Sequence, residues 1–168
     1  MIGLTARWRG RVDPRRRNTR RSGVSPLNAN VRHRIVSRNF AATCVSMDED
    51  SDLWLVGFAD AEFNTQRYLR LQRGKSLEAE LGEDTVLGPD AYHVEVDDQS
   101  RSCYEGIKRF ELFHDHAVVE FEDATLPVFG GEKVIVVEFA LRQQQLDQLR
   151  ACLAKIFKGY DCFLDRSA

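Results

Sequence analysis

Four cysteines, Cys44, Cys103, Cys152 and Cys162, are scattered over 168 residues with no C-x-x-C pair among them. That spacing argues against a disulfide framework and against a recognisable zinc site, and for free thiols in a reducing, cytoplasmic compartment. No apolar run approaches the ~20 residues of a membrane span, so no membrane partner is expected. The N-terminal arginines are not followed by the apolar stretch of a secretory signal. The stretch "FGGEK", residues 129–133, has glycines but lacks the G-x-x-x-x-G-K-[ST] phosphate cradle and reads as a turn. Neither G-x-S-x-G nor H-x-x-x-H occurs, and no internal repeat is visible.

Acidic residues are nearly missing from one part of the chain. Residues 1–38 hold eleven arginines, no lysine and a single acid, Asp13, a surplus of ten positive charges. The remaining 13 basic and 25 acidic residues leave residues 39–168 with twelve negative charges. The leader has almost nothing apolar to bury and is expected to be disordered when alone. Three readings compete: a nucleic-acid-binding arm, an organelle transit peptide, and an upstream extension from a mis-assigned start, with Val24, Val31 or Val36 as the alternative. The organisation expected is therefore a leader over 1–38, one domain over 39–160 and a short tail over 161–168.

From Asn39 onwards the pattern becomes that of strands. "NFAATCVS" alternates and reads as a first strand. "LWLVGFA", residues 53–59, is apolar on both parities, which suits a central strand covered on both faces. In "YLRLQR" Leu69 and Leu71 point one way while Tyr68, Arg70 and Gln72 point the other. "SLEAELGEDTVLGPD" is mostly connection with room for a helical turn. "YHVEV" alternates, "KRFELFH" and "AVVEFE" form a hairpin, and "VIVVEFAL" sets Ile135, Val137, Phe139 and Leu141 on one face.

One helix is plain. Leu146, Leu149, Leu153 and Ile156 recur at helical spacing in "QQQLDQLRACLAKIFKG", with Lys155 and Lys158 at its negative end and Gly159 placed to end it. Strands first and a helix last give an α+β class. The expectation is a mostly antiparallel sheet of six or seven strands, with a C-terminal amphipathic helix packed on one face. With 10 Phe and 2 Trp such a domain can bury enough surface to stand without metal or disulfides.

Catalytic candidates are thin. His114 and His116 would share a face in a strand, but no third ligand stands at metal-binding spacing. His93 sits inside a strand, and Cys103 lies in the loop-like "DDQSRSCYEG" with no visible group to lower its pKa. No cofactor, metal or catalytic role is expected. The acidic body would steer towards a basic protein and repel nucleic acid, so nucleic acid is not expected as a partner of the folded part. Tyr and Arg are enriched among residues that dominate protein–protein binding. That makes the Tyr68, Arg70 and Gln72 face, with Asp60 and Glu62 nearby, the expected grip.

These residues resemble a family. "WLVGFADAEF", "YLRLQR", "YHVEVDDQ…CYEGI", two further strands and "LRACLAKIF" are similar to the immunity protein 10 family of bacterial polymorphic toxin systems. The motif residues are Gly57, Phe58, Asp60, Phe63, Tyr68, Leu71, Gln72, Arg73, Tyr104 and Gly106, with Glu105 where a small residue or glycine is expected. The resemblance covers about residues 39–160. It implies a small cytoplasmic α+β protein that binds and neutralises a cognate toxin, itself expected to be basic, with no chemistry of its own. Two other readings stay open: a nucleic-acid-associated adaptor using the leader, and a metal-dependent enzyme using the His114/His116 region.

Overall fold

The computed structural model describes residues 36–49, 52–75 and 91–167. The leader before Val36 and the connection over 76–90 lie outside the described residues. The described residues belong to one compact unit. It is α+β, as the patterning indicated, but the ten strands among the described residues form two sheets rather than one sheet of six or seven.

The first sheet orders β1 (Val36–Ala41), β9 (Glu132–Glu138), β8 (His116–Phe121), β7 (Ile107–Leu112) and β10 (Phe163–Asp165). The second orders β2 (Cys44–Glu49), β3 (Leu53–Ala59), β4 (Tyr68–Gly74), β5 (His93–Val96) and β6 (Asp98–Tyr104). Every pairing is antiparallel except β1 with β9 and β10 with β7.

Three corrections produce the extra strands. "NFAATCVS" is two strands, because the chain turns from one sheet to the other at Ala42 and Thr43. There Ala42 N–H donates to Glu138 O (2.7 Å) and Thr43 Oγ1 donates to Asp60 O (2.7 Å). The loop-like "DDQSRSCY" is β6, paired along β5 through a register shift at Glu95 and Val96. The expected tail supplies β10, where Phe163 packs between the Phe110 and Phe157 rings at 6.0 and 5.6 Å. Polar content hid β6, and brevity hid β10.

The alternation read from β4 holds. Leu69 and Leu71 are wholly buried and Tyr68, Arg70 and Gln72 are half-buried on the opposite face. β3 is covered less evenly than its apolar run suggested: Val56 and Phe58 are buried, while Leu55 and Gly57 are only half-buried. Helix α1 (Gln143–Ile156) lays Leu146, Leu149, Cys152, Leu153 and Ile156 into the core, mainly against β3. Gly159 takes φ +89° just beyond the helix, the left-handed geometry that suits glycine.

Arg73 fixes that helix from a distance. It follows the core parity of β4, is 9% exposed, and donates from Nη1 to Ile156 O at 3.0 Å and to Lys158 O. A guanidinium thus satisfies carbonyls at the negative helix end, with the Tyr160 ring 5.7 Å away.

A second polar device joins the sheets. Glu132, at the start of β9, has a side chain 4% exposed. It meets Arg38 of β1 at 2.7 Å and Arg101 of β6 at 3.2 Å. Asp97, between β5 and β6, meets Arg101 at 3.1 Å and Arg67 at 3.2 Å. Arg101 also donates to Phe129 O (2.6 Å).

Replacing Arg73→Leu leaves buried helix-end carbonyls without a donor, and urea unfolding should show a loss of about 2–4 kcal/mol. Deleting residues 161–168 strips Phe163 from its two rings. The same measurement should show a loss of at least about 2 kcal/mol, although the segment reads as a tail.

Candidate functional site

The outer face of the second sheet is built from strand register. Gly57, Arg70, Glu95 and Ser102 lie in one cross-strand row, and Leu55, Gln72, His93 and Tyr104 in the next. Gly57 leaves room for a neighbour: a Cβ there would lie 2.6 Å from Ser46 Oγ, so that hydroxyl would have to turn away. Tyr68 heads the face. Its hydroxyl donates to Glu95 Oε1 and its backbone N–H donates to Asp97 Oδ1 (3.0 Å). Burial, with Glu95 beside it, pushes the Tyr68 phenol well above its ordinary range, so it stays a donor. Arg70 stands across from Glu95, an opposite-charge pairing that suits a sheet surface.

Beyond the Tyr68 end, residues 60–67 form the β3–β4 loop, and its geometry is fixed internally. Asp60 N–H donates to Arg67 O (3.0 Å), Gln66 N–H donates to Asp60 Oδ1 (3.1 Å), and Thr65 Oγ1 donates to Ala61 O (2.7 Å). Asn64 takes φ +56°, a conformation that asparagine tolerates. The loop carries Phe63 outward, 76% exposed, next to exposed Glu62. Among the described residues the exposed large hydrophobics are Phe63 and Tyr104.

The five expected contact residues therefore divide. Tyr68, Arg70 and Gln72 share a face. Glu62 is free to meet a partner from the adjoining loop, whereas Asp60 spends a carboxylate oxygen on bracing that loop. The motif residues divide too. Phe58 and Leu71 are core, Arg73 holds the helix, and Gly106 has φ +87° where a Cβ would press on Thr125 and Cys103. Phe63 and Tyr104 reach the surface.

Glu105, the departure from the family pattern, takes φ +61° without being glycine. Its side chain compensates by accepting from Tyr160 Oη at 2.8 Å, and its N–H donates to Tyr92 O at 2.8 Å. Burial and the Glu105 carboxylate push the Tyr160 phenol up to about 12.

The other candidates are not gathered. His114 is exposed in the β7–β8 turn. His116 opens β8, stacked on Phe113 at 4.4 Å and bonded through Nδ1 to Asp115 at 2.7 Å. Cys103 lies in the other sheet, where burial raises its thiol pKa, the reverse of nucleophile activation. His93 is half-buried, its ring edge against Tyr104, and burial lowers its pKa. Among the described residues no three His, Cys, Asp or Glu side chains gather to hold a metal ion, and no described helix is long and apolar enough to cross a membrane.

Sequence reasoning missed Arg38, Arg67, Asp97, Arg101 and Glu132 as a group. They come from four separate segments and follow no periodicity.

Glu105→Ala keeps the left-handed backbone and loses the Tyr160 bond, so unfolding should show a loss of about 1–2 kcal/mol. Glu105→Gly relieves the backbone and should lie nearer the wild type. Tyr160 has its pKa raised by folding. Its contribution is complete below the unfolded value of about 10 and fades as pH climbs towards about 12. Stability measured over that alkaline window should fall less steeply in Tyr160→Phe.

Comparison with known proteins adds the missing context for this face. No curated protein matches the chain. The family model described as Immunity protein 10 matches residues 40–147, from β1 through the first turn of α1. With most of the chain, all of the second sheet and most of the first inside that match, the protein belongs to the immunity protein 10 family.

Proposed function

We propose that the protein is an antitoxin-type immunity protein, which works in the cytoplasm by binding and sequestering a cognate polymorphic toxin. The family match over residues 40–147 carries this reading. The toxin is met by the outer face of the second sheet and the loop beside it, with Phe63 as anchor and Glu62, Arg70 and Gln72 around it. Tyr68 and Asp60 hold that surface in shape. An exposed aromatic on a pre-ordered loop suits such a role, because little conformational freedom is lost when a partner closes over it. The twelve negative charges over residues 39–168 favour a basic toxin and speed its encounter. Sequestration asks for slow dissociation rather than for a catalytic group.

Co-expression with a cognate toxin domain should restore growth to cells that the toxin alone arrests, and failure of the wild-type chain to do so would remove this function. Phe63 is too exposed to support the core, so Phe63→Ser should leave the melting temperature unchanged. It should weaken toxin binding at least about tenfold, or ~1.4 kcal/mol. Adding Arg70→Ala should weaken binding further, by about another factor of ten. Unchanged affinity in the double variant would move the interface elsewhere.

A further inference from the structure

The strand ends of the first sheet leave a shallow groove of about 680 Å³. It arises from register and side-chain size. Ala41 of β1 pairs with Glu138 of β9, which pairs with His116 of β8, so three strands terminate in one row. Ala41 and Ala42 are small and leave the row open. With Val136 and Phe139 they give the groove an apolar lining.

Two exposed carboxylates, Asp115 and Glu138, stand on this lining, and among the described residues neither lysine nor arginine does. Asp115 is oriented by His116 Nδ1 at 2.7 Å, and that hydrogen bond holds it below the usual carboxylate range. The walls are also tied together. Ala42 N–H donates to Glu138 O (2.7 Å) and Phe139 N–H donates to Asp115 O (2.9 Å). Thr43, itself a lining residue, donates to the carbonyl of Asp60, where the Phe63 loop begins. Groove and loop are therefore joined through one hydrogen bond.

We propose that this groove is a second toxin contact, which takes a lysine or arginine side chain of the toxin. The cationic end lies against Asp115 and Glu138, and the methylene stem lies over Ala41, Ala42 and Phe139. Long basic side chains behave in this way wherever an apolar bed has a charged rim. The occupant is set by chemistry. An anionic segment would meet two carboxylates, with His116 already engaged by Asp115, and a purely apolar one would desolvate Glu138 with nothing to offset its charge. The inference rests on the immunity reading above and adds to it where the toxin reaches and what it carries there.

The test uses the full chain and the purified toxin domain of the co-expression assay. Affinity is measured at low and moderate salt for wild type, Glu138→Lys and Ala41→Trp, with melting curves for each. Glu138→Lys reverses an exposed charge and should raise Kd at least tenfold while flattening its salt dependence. Ala41→Trp fills the groove and should do the same without that flattening. A Lys→Glu or Arg→Glu change in the toxin that restores binding to Glu138→Lys would identify the occupant.

If the wild type binds tightly and both variants stay within twofold of it while Phe63→Ser weakens binding, the groove proposal is overturned and the immunity reading stands. If the wild type neither binds nor neutralises the toxin, the immunity reading itself falls. Should Ala41→Trp fail to fold, Glu138→Lys decides alone. If the wild type self-associates through this groove, and Glu138→Lys abolishes that association without touching toxin affinity, a second copy of the chain is the occupant and the proposal is wrong.

Discussion

Two carboxylates and three guanidinium groups hold the two sheets in one arrangement. Glu132 brings β9 to the cluster, Arg38 brings β1, Arg101 brings β6, and Asp97 with Arg67 brings the ends of β5 and β4. A cluster of this kind adds little net stability, since burying Glu132 and Asp97 costs much of what their attraction to the guanidinium groups returns. Its contribution is to register: Glu132, at 4% exposure, meets its near guanidinium partners only where β1, β9 and β6 converge. The Arg67 guanidinium also sits 5.7 Å from the Phe40 ring, so the cluster is packed as well as paired. The β3–β4 loop ends at Arg67, and the surface that carries Phe63 is thereby referenced to both sheets.

Local pattern was enough for much of this fold. β4, the β7–β8 hairpin and α1 each carry their own periodicity, and the structure places them as that periodicity demands. What failed were features decided at long range. Ala42 and Thr43 look like the middle of a strand until Glu138 and Asp60, far along the chain, supply the bonds that turn the corner. β6 is polar because its outer side chains face water and ions, so it lacks the alternation that marks a half-buried strand. Phe163 to Asp165 are too few to show a period, and only β7 makes them a strand.

The candidate site was legible in the same uneven way. Tyr68, Arg70 and Gln72 share a face because strand parity requires it, and parity can be read from a sequence. The tie between Tyr68 and Glu95, the bracing role of Asp60 and the exposure of Phe63 depend on how the loop closes. Half of the recognisable motif builds that scaffold: Phe58 and Leu71 lie in the core, Arg73 holds the helix end, and Gly57 and Gly106 sit where the chain packs closely.

The helix clamp has a temporal consequence. Arg73 and its acceptor at Ile156 are separated by 83 residues, which a ribosome adding about 5–20 residues per second covers in roughly 4 to 17 seconds. Throughout that interval the apolar side of β3 and β4 has no lid, and the guanidinium destined for the helix end has no carbonyl to hold. A chain cut short of Ile156 therefore lacks both the complete helix and the contact that anchors it, so the last quarter of synthesis decides whether the second sheet is covered.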